Sequence, residues 1–91
     1  MPGLILRGHI CIPEEDLPAI VGELPNHIEL TRREAGCLVF EVTRDTRIQN
    51  LYHVYEEFVD RTAFEAHQER VKNSRWGQLT AEAERHYEVS E

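Results

Sequence analysis

Cys37-Leu-Val-Phe-Glu-Val-Thr-Arg44 and Asn50-Leu-Tyr-His-Val-Tyr-Glu-Glu-Phe58 are two runs of alternating residues joined by a short polar stretch. Alternation puts Leu38, Phe40 and Val42 on one face of the first run. In the second, Tyr52, Val54, Glu56 and Phe58 oppose Leu51, His53, Tyr55 and Glu57. Period two with β-branched and aromatic residues predicts strands, and the polar link between them predicts an antiparallel hairpin. Outward from this hairpin, each side carries helical spacing and then a further strand pattern. Upstream, Leu4, Leu6, Gly8, Ile10 and Ile12 alternate with Ile5, Arg7, His9 and Cys11 until Pro13 stops the strand. Leu17, Ile20, Val21, Leu24, Ile28, Thr31 and Ala35 follow at helical spacing, and Gly36 is a natural stop. Asp16 is expected to cap that helix, with Pro18 in its first turn. Pro25 falls inside the pattern, which predicts a kink or two short helices.

Downstream, Asp60 is expected to cap a helix whose stripe is Ala63, Phe64, His67 and Val71. Lys72 to Ser74 should break it. Trp76, Leu79, Thr80 and Ala83 predict a last short helix, and His86 to Val89 a closing strand. The order βααββααβ predicts an α+β, ferredoxin-like domain over residues 1–91, a four-stranded antiparallel sheet with helices on one face. Leu4, Leu6, Ile10, Ile12, Leu38, Phe40, Val42, Val54 and Phe58 form the set expected under the helices. The opposite face holds Ile5, Arg7, His9, Cys11, Val39, Glu41, His53 and Tyr55. That face is mixed, which suits either water or a second molecule whose polar groups pair across an interface while Ile5, Val39 and Tyr55 bury area.

With 91 residues the chain has the length of one domain. Its 10 Lys+Arg against 17 Asp+Glu give a net charge of -7, which disfavours a nucleic-acid partner because no cation surplus is available to release counterions. No apolar run approaches the ~20 residues of a membrane span. Met1-Pro2-Gly3-Leu4-Ile5-Leu6-Arg7 lacks the basic head and long apolar stretch of a secretory signal. Cys11 and Cys37 form no metal or disulfide spacing, and a reduced, cytoplasmic setting is the expectation. Five His and many carboxylates prompt a search for a metal site, but no His-x-x-x-His, His-Glu-x-x-His or Cys-x-x-Cys spacing occurs. No phosphate loop or nucleophile motif occurs either.

The residue with most chemical promise is His67, one turn from both Phe64 and Val71. It reads either as a base or hydrogen-bond partner at a pocket mouth, or as a half-buried histidine satisfied by a backbone carbonyl. Trp76 reads as the largest core piece with partial pocket contact. Phe40, Phe58 and Phe64 are core residues of the type that must line any pocket here, and Tyr52 and Tyr87 would carry a polar tip into it. His27 and His86 have no supporting context and are expected at the surface. Arg32-Arg33 and Arg44-x-x-Arg47 read as solvated.

The stretch Gly36-Cys-Leu-Val-Phe-Glu-Val, followed by Tyr55-Glu-Glu-Phe-Val-Asp-Arg-Thr-Ala-Phe-Glu-Ala-His67, resembles the antibiotic biosynthesis monooxygenase family, and within it the branch of small quinol monooxygenases. The resemblance implies a dimeric α+β barrel in which two sheets pack face to face. Arg7, His9, Glu41, His53 and Tyr55 would then lie in the dimer interface. It also implies oxygenation of a phenol or quinol by molecular oxygen with no metal, flavin or other cofactor. His67 would be catalytic, and Phe40, Tyr52, Phe58, Phe64, Trp76 and Tyr87 would bind substrate. Relatives on this fold isomerise a phosphorylated autoinducer, degrade haem or have no known activity. An acid/base isomerase of a small carbonyl compound and a non-catalytic dimeric ligand-binding module therefore remain alternatives. Phe58 stands where the family's block usually has Trp. The second histidine of many relatives has no counterpart in Gln68-Glu69-Arg70-Val71-Lys72, which leaves His67 to act alone or with residues from other elements.

Overall fold

The strand alternation closes into a single sheet in the computed structural model, which describes residues 3–91; the N-terminal Met1 and Pro2 read above lie outside them. Strand β1 (Leu4–Cys11) is followed by a 3-10 turn (Glu14–Asp16) and helix α1 (Leu17–Arg32). Strands β2 (Cys37–Arg44) and β3 (Leu51–Phe58) form the hairpin. Helices α2 (Arg61–Lys72) and α3 (Arg75–Leu79) lead to β4 (Glu84–Ser90). The sheet order is β2-β3-β1-β4, every neighbouring pair antiparallel. This is the expected ferredoxin-like arrangement, with β1 and β3 central. Helix-facing residues Leu4, Leu6, Ile10, Ile12, Val54 and Phe58 pack with Ile20, Phe64 and Trp76 into one core.

Four local expectations need correction. Of the two outcomes expected at Pro25, the split into two short helices does not occur, and α1 runs through it as one helix. Its inward residues Ile20, His27 and Thr31 anchor the helix on both sides of the proline. Pro25 itself is exposed, so water can meet the carbonyl left unmatched one turn back. Asp16 makes no side-chain cap, because its own φ of -93° and ψ of -10° are already helical. Asp60, at φ -163° and ψ 177°, has the extended backbone a cap needs, and its carboxylate accepts from the Ala63 N–H at 2.8 Å. Leu38 is not under the helices. A bulge shifts the β2–β3 register between Cys37 and Val39 and leaves Leu38 49% exposed, while Cys37 turns to the core instead. His27, expected at the surface, is buried. Its place on α1 is three residues after Leu24 and four before Thr31, on the helix's inner stripe.

Gly8 fixes how β4 meets the sheet. Its φ is +156°, and a Cβ there would stand 2.0 Å from the His86 carbonyl oxygen and 2.9 Å from the Tyr87 ring. Only glycine admits that approach. The bare backbone lets Tyr87, the one half-buried residue of β4, lean inward over β1.

Candidate functional site

His67 lies on the inner stripe of α2 and is 4% exposed. Burial of an imidazole demands a partner. The partner is a carboxylate, not the backbone carbonyl that was one alternative: Nδ1 lies 2.8 Å from Oε1 of Glu34, just past the end of α1. The second Glu34 oxygen accepts from Nε of Arg70 at 2.5 Å, and Arg70 also donates to the Thr31 hydroxyl at 3.0 Å. A carboxylate held by a guanidinium can only accept, so Nδ1 carries the proton and Nε2 has the free lone pair. Desolvation lowers the His67 pKa, with Glu34 pulling against it, so the neutral imidazole is favoured.

Nε2 faces Glu56, whose Oε1 is 3.8 Å away. Glu56 occupies a helix-facing position of β3 between Val54 and Phe58, and its side chain is buried. Among the described residues Oε1 has no hydrogen-bond partner. Burial, with Glu34 adding repulsion, pushes its carboxyl up to about 8, so Glu56 is mostly protonated at neutral pH. His27 completes the cluster. Its ring stacks flat on Trp76, with centroids 4.5 Å apart and planes 4° from parallel, and its centroid is 6.4 Å from that of His67. Burial, then the nearby His67, lowers its pKa to about 3, so it too is neutral, and its Nδ1 has no partner.

These groups surround a small cavity of about 50 Å³ under α2, lined by Phe40, His67, Trp76 and Tyr87 together with His27, Glu56 and Arg85. It has room for a water or a hydroxyl but not for an aromatic ring. On the other side of α2 an open cleft of about 560 Å³, walled by Gly36, Val59, Ala63 and Ala66, reaches His67, Glu34 and Arg70. Of the residues expected to bind substrate, Phe40, Trp76 and Tyr87 thus meet at the cavity with His67. Phe58 packs its ring 5.1 Å from that of His67, and Phe64 stands edge-on to Phe58 at 5.6 Å, so both belong to the core beneath. Tyr52 is core and does not line the cavity.

On the opposite sheet face, the Arg7 guanidinium lies 5.7 Å over the Tyr55 ring, and the Tyr55 hydroxyl donates to Glu57. His53 pairs with Asp45 at 2.7 Å, His9 stacks on His86 at 4.8 Å, and Glu41 is exposed. Among the described residues no group of three or more His, Cys, Asp or Glu is arranged to hold a metal ion.

Glu34, Glu56, His27 and Arg70 are the members of this site that the residue pattern did not single out. Glu56 was legible as an acid on a helix-facing position, and His27 as a histidine on the inner stripe of α1. Glu34 lies beyond any periodicity and carried no signal.

No curated protein matches the chain in sequence. The solved structures share its fold. A Nitrosomonas europaea protein named for the antibiotic biosynthesis monooxygenases superposes with a TM-score of 0.79 at 16% identity, over 97% of this chain and 96% of that one. One from Deinococcus radiodurans with the same designation gives 0.75 at 18%, over 97% and 90%. A Shewanella oneidensis protein gives 0.72 at 24%, over 99% and 91%. With residues 4–76 matched to it, the chain belongs to the antibiotic biosynthesis monooxygenase family.

Proposed function

We propose that the protein is a cofactor-independent monooxygenase, of the quinol monooxygenase type, acting on a small electron-rich phenol or quinol. The observation that carries this reading is the Glu34–His67 bond, which sets a neutral imidazole with its Nε2 lone pair toward the cavity. Nε2 takes the proton of a ring hydroxyl, and the imidazolium so formed lies against Glu34. The substrate anion passes one electron to triplet dioxygen, which removes the spin barrier. The ring radical and superoxide then join in a C–O bond. The O–O bond breaks as the ring C–H proton is lost. The outer oxygen leaves as water with that proton and the one returned by His67, and the carbon keeps a carbonyl. One dioxygen and one phenol thus give one quinone and one water, with every electron drawn from the substrate.

The apolar and aromatic walls, Phe40, Trp76 and Tyr87, keep bulk water from the charged steps. Because the cavity is smaller than a ring, the substrate's ring must displace lining side chains such as Gln68, Val71 and Arg85, or enter from the open cleft. We read residues 1–91 as one catalytic domain working in a homodimer in the cytoplasm, with the mixed sheet face covered by a second copy. Support for the dimer is that Ile5, Val39 and Tyr55 are only half-buried on a face that no helix of the described residues covers.

A second reading, proton-transfer isomerisation beside a carbonyl, draws on the pairing of a base, His67, with a protonated acid, Glu56. Oxygen electrode measurements with a quinol panel separate the two. The oxygenase consumes dioxygen faster than the uncatalysed control, and the consumption disappears in His67→Ala. Uptake equal with and without protein rejects the oxygenase, and turnover that persists without air points to the isomerase.

A further inference from the structure

Two buried polar atoms with no partner among the described residues, Oε1 of Glu56 and Nδ1 of His27, belong to residues lining the same small cavity. Orphaned buried polar atoms are costly, and in native proteins a water or ligand atom commonly meets them. The spacing of the third group is informative. Nε2 of His67 and Oε1 of Glu56 are 3.8 Å apart, too far for a hydrogen bond. That gap lets a single oxygen stand about 2.8 Å from each. The cavity volume, about 50 Å³, suits one water or one hydroxyl.

We propose that this cavity is a binding site for one hydroxyl oxygen, bridged between Nε2 of His67 and Glu56 with His27 as a third partner: a water in the free protein, and the hydroxyl of a bound phenol when one is present. The protonated Glu56 donates to the oxygen, which donates its own hydrogen to Nε2. The His27 ring is held in place by its stack on Trp76. Both histidines and Glu56 are neutral at neutral pH, which leaves the Arg85 guanidinium as the charged group in the lining. The site therefore selects a neutral O–H over an ammonium, and a ligand must point its hydroxyl inward with its ring outward. Only this orientation of the ligand rests on the oxygenase reading; the water does not.

The test has two arms. A high-resolution crystal structure of the free protein should show a water within about 3.2 Å of both Nε2 and Oε1. Titration of the free protein with phenol, followed by fluorescence of Trp76, the single tryptophan, should give saturable binding at least ten-fold tighter than with anisole, whose oxygen has no hydrogen to give. Glu56→Leu should abolish that preference while circular dichroism shows the fold kept; Glu56→Gln, which retains a donor, serves as the folded control if Leu is not tolerated and should keep it. A dry cavity overturns the proposal. A water that stays in place when phenol binds, or equal affinity for phenol and anisole, overturns its ligand half. An ordered water with hydroxyl-selective binding but no oxygen uptake on any quinol leaves the site standing and removes the oxygenase reading alone.

Discussion

An acid on a strand position that faces the core is costly to ionise, and Glu56 is such an acid. Its folded pKa of about 8 lies above the ordinary 4.5, so between those values the folded state holds a proton that the unfolded chain has released. The folded form is therefore favoured by this group below pH ~4.5, and the advantage is lost as pH rises to ~8, at most on the order of a few kcal/mol. His27 works in the other direction. Its pKa falls from 6.5 to about 3, so its contribution is complete above pH 6.5 and is lost as pH drops toward 3. Glu56→Gln should gain on the parent by roughly 3 kcal/mol between pH 5.5 and pH 9. Urea unfolding at the two pH values measures this, and parallel pH curves for parent and variant would contradict it. In the proposed reaction Glu34 acts through His67. In Glu34→Gln the imidazolium loses its counter-charge, so kcat should fall roughly 10- to 100-fold with KM little changed. The acid limb of the kcat profile should move to lower pH, because the imidazole is then harder to protonate. A variant with an unshifted profile would reduce Glu34 to a packing role.

Among the elements, β4 depends on a single backbone position. Gly8→Ala would drive a Cβ into the His86 carbonyl. The expected cost is ~2 kcal/mol or more, with amide exchange rising along Glu84–Ser90 before the rest of the sheet. Uniform exchange across all four strands would argue against a local effect. Pro25 is the reverse case. Within a continuous α1 it removes one backbone bond, so Pro25→Ala should raise stability by about 1 kcal/mol, part of the gain being offset by a freer unfolded chain. Thermal melts of the two proteins suffice as a check. The hairpin and the strand order were legible because alternation is a property of neighbouring residues. The Leu38 bulge was not, because it depends on how β2 meets β3 and not on the pattern within either.

The described residues measure 37 × 25 × 18 Å, with their helices on one side of the sheet. Its bare face carries Arg7, His9, Glu41, His53 and Tyr55 among half-buried Ile5 and Val39. A sheet with such a face is stable in water only if its apolar members are few or covered. Sedimentation equilibrium at micromolar concentration should return twice the chain mass. Ile5→Lys, which places a charge on that face, should return the mass of one chain with the far-ultraviolet dichroism of the sheet retained. A parent protein that sediments as one chain would leave the face to solvent.

From residue order alone came the elements, their sequence along the chain, the inward stripe that holds His67 and the family resemblance, since each rests on spacings of a few residues that short-range sterics and hydrophobic burial impose. Folding in three dimensions supplied the chemistry around that histidine. Glu34 reaches it across 33 positions, Glu56 comes from a strand and His27 from another helix. None of these distances is encoded locally. Each follows from how α1 and α2 settle on the sheet, and burial there, not residue type, keeps Glu56 protonated and both imidazoles neutral.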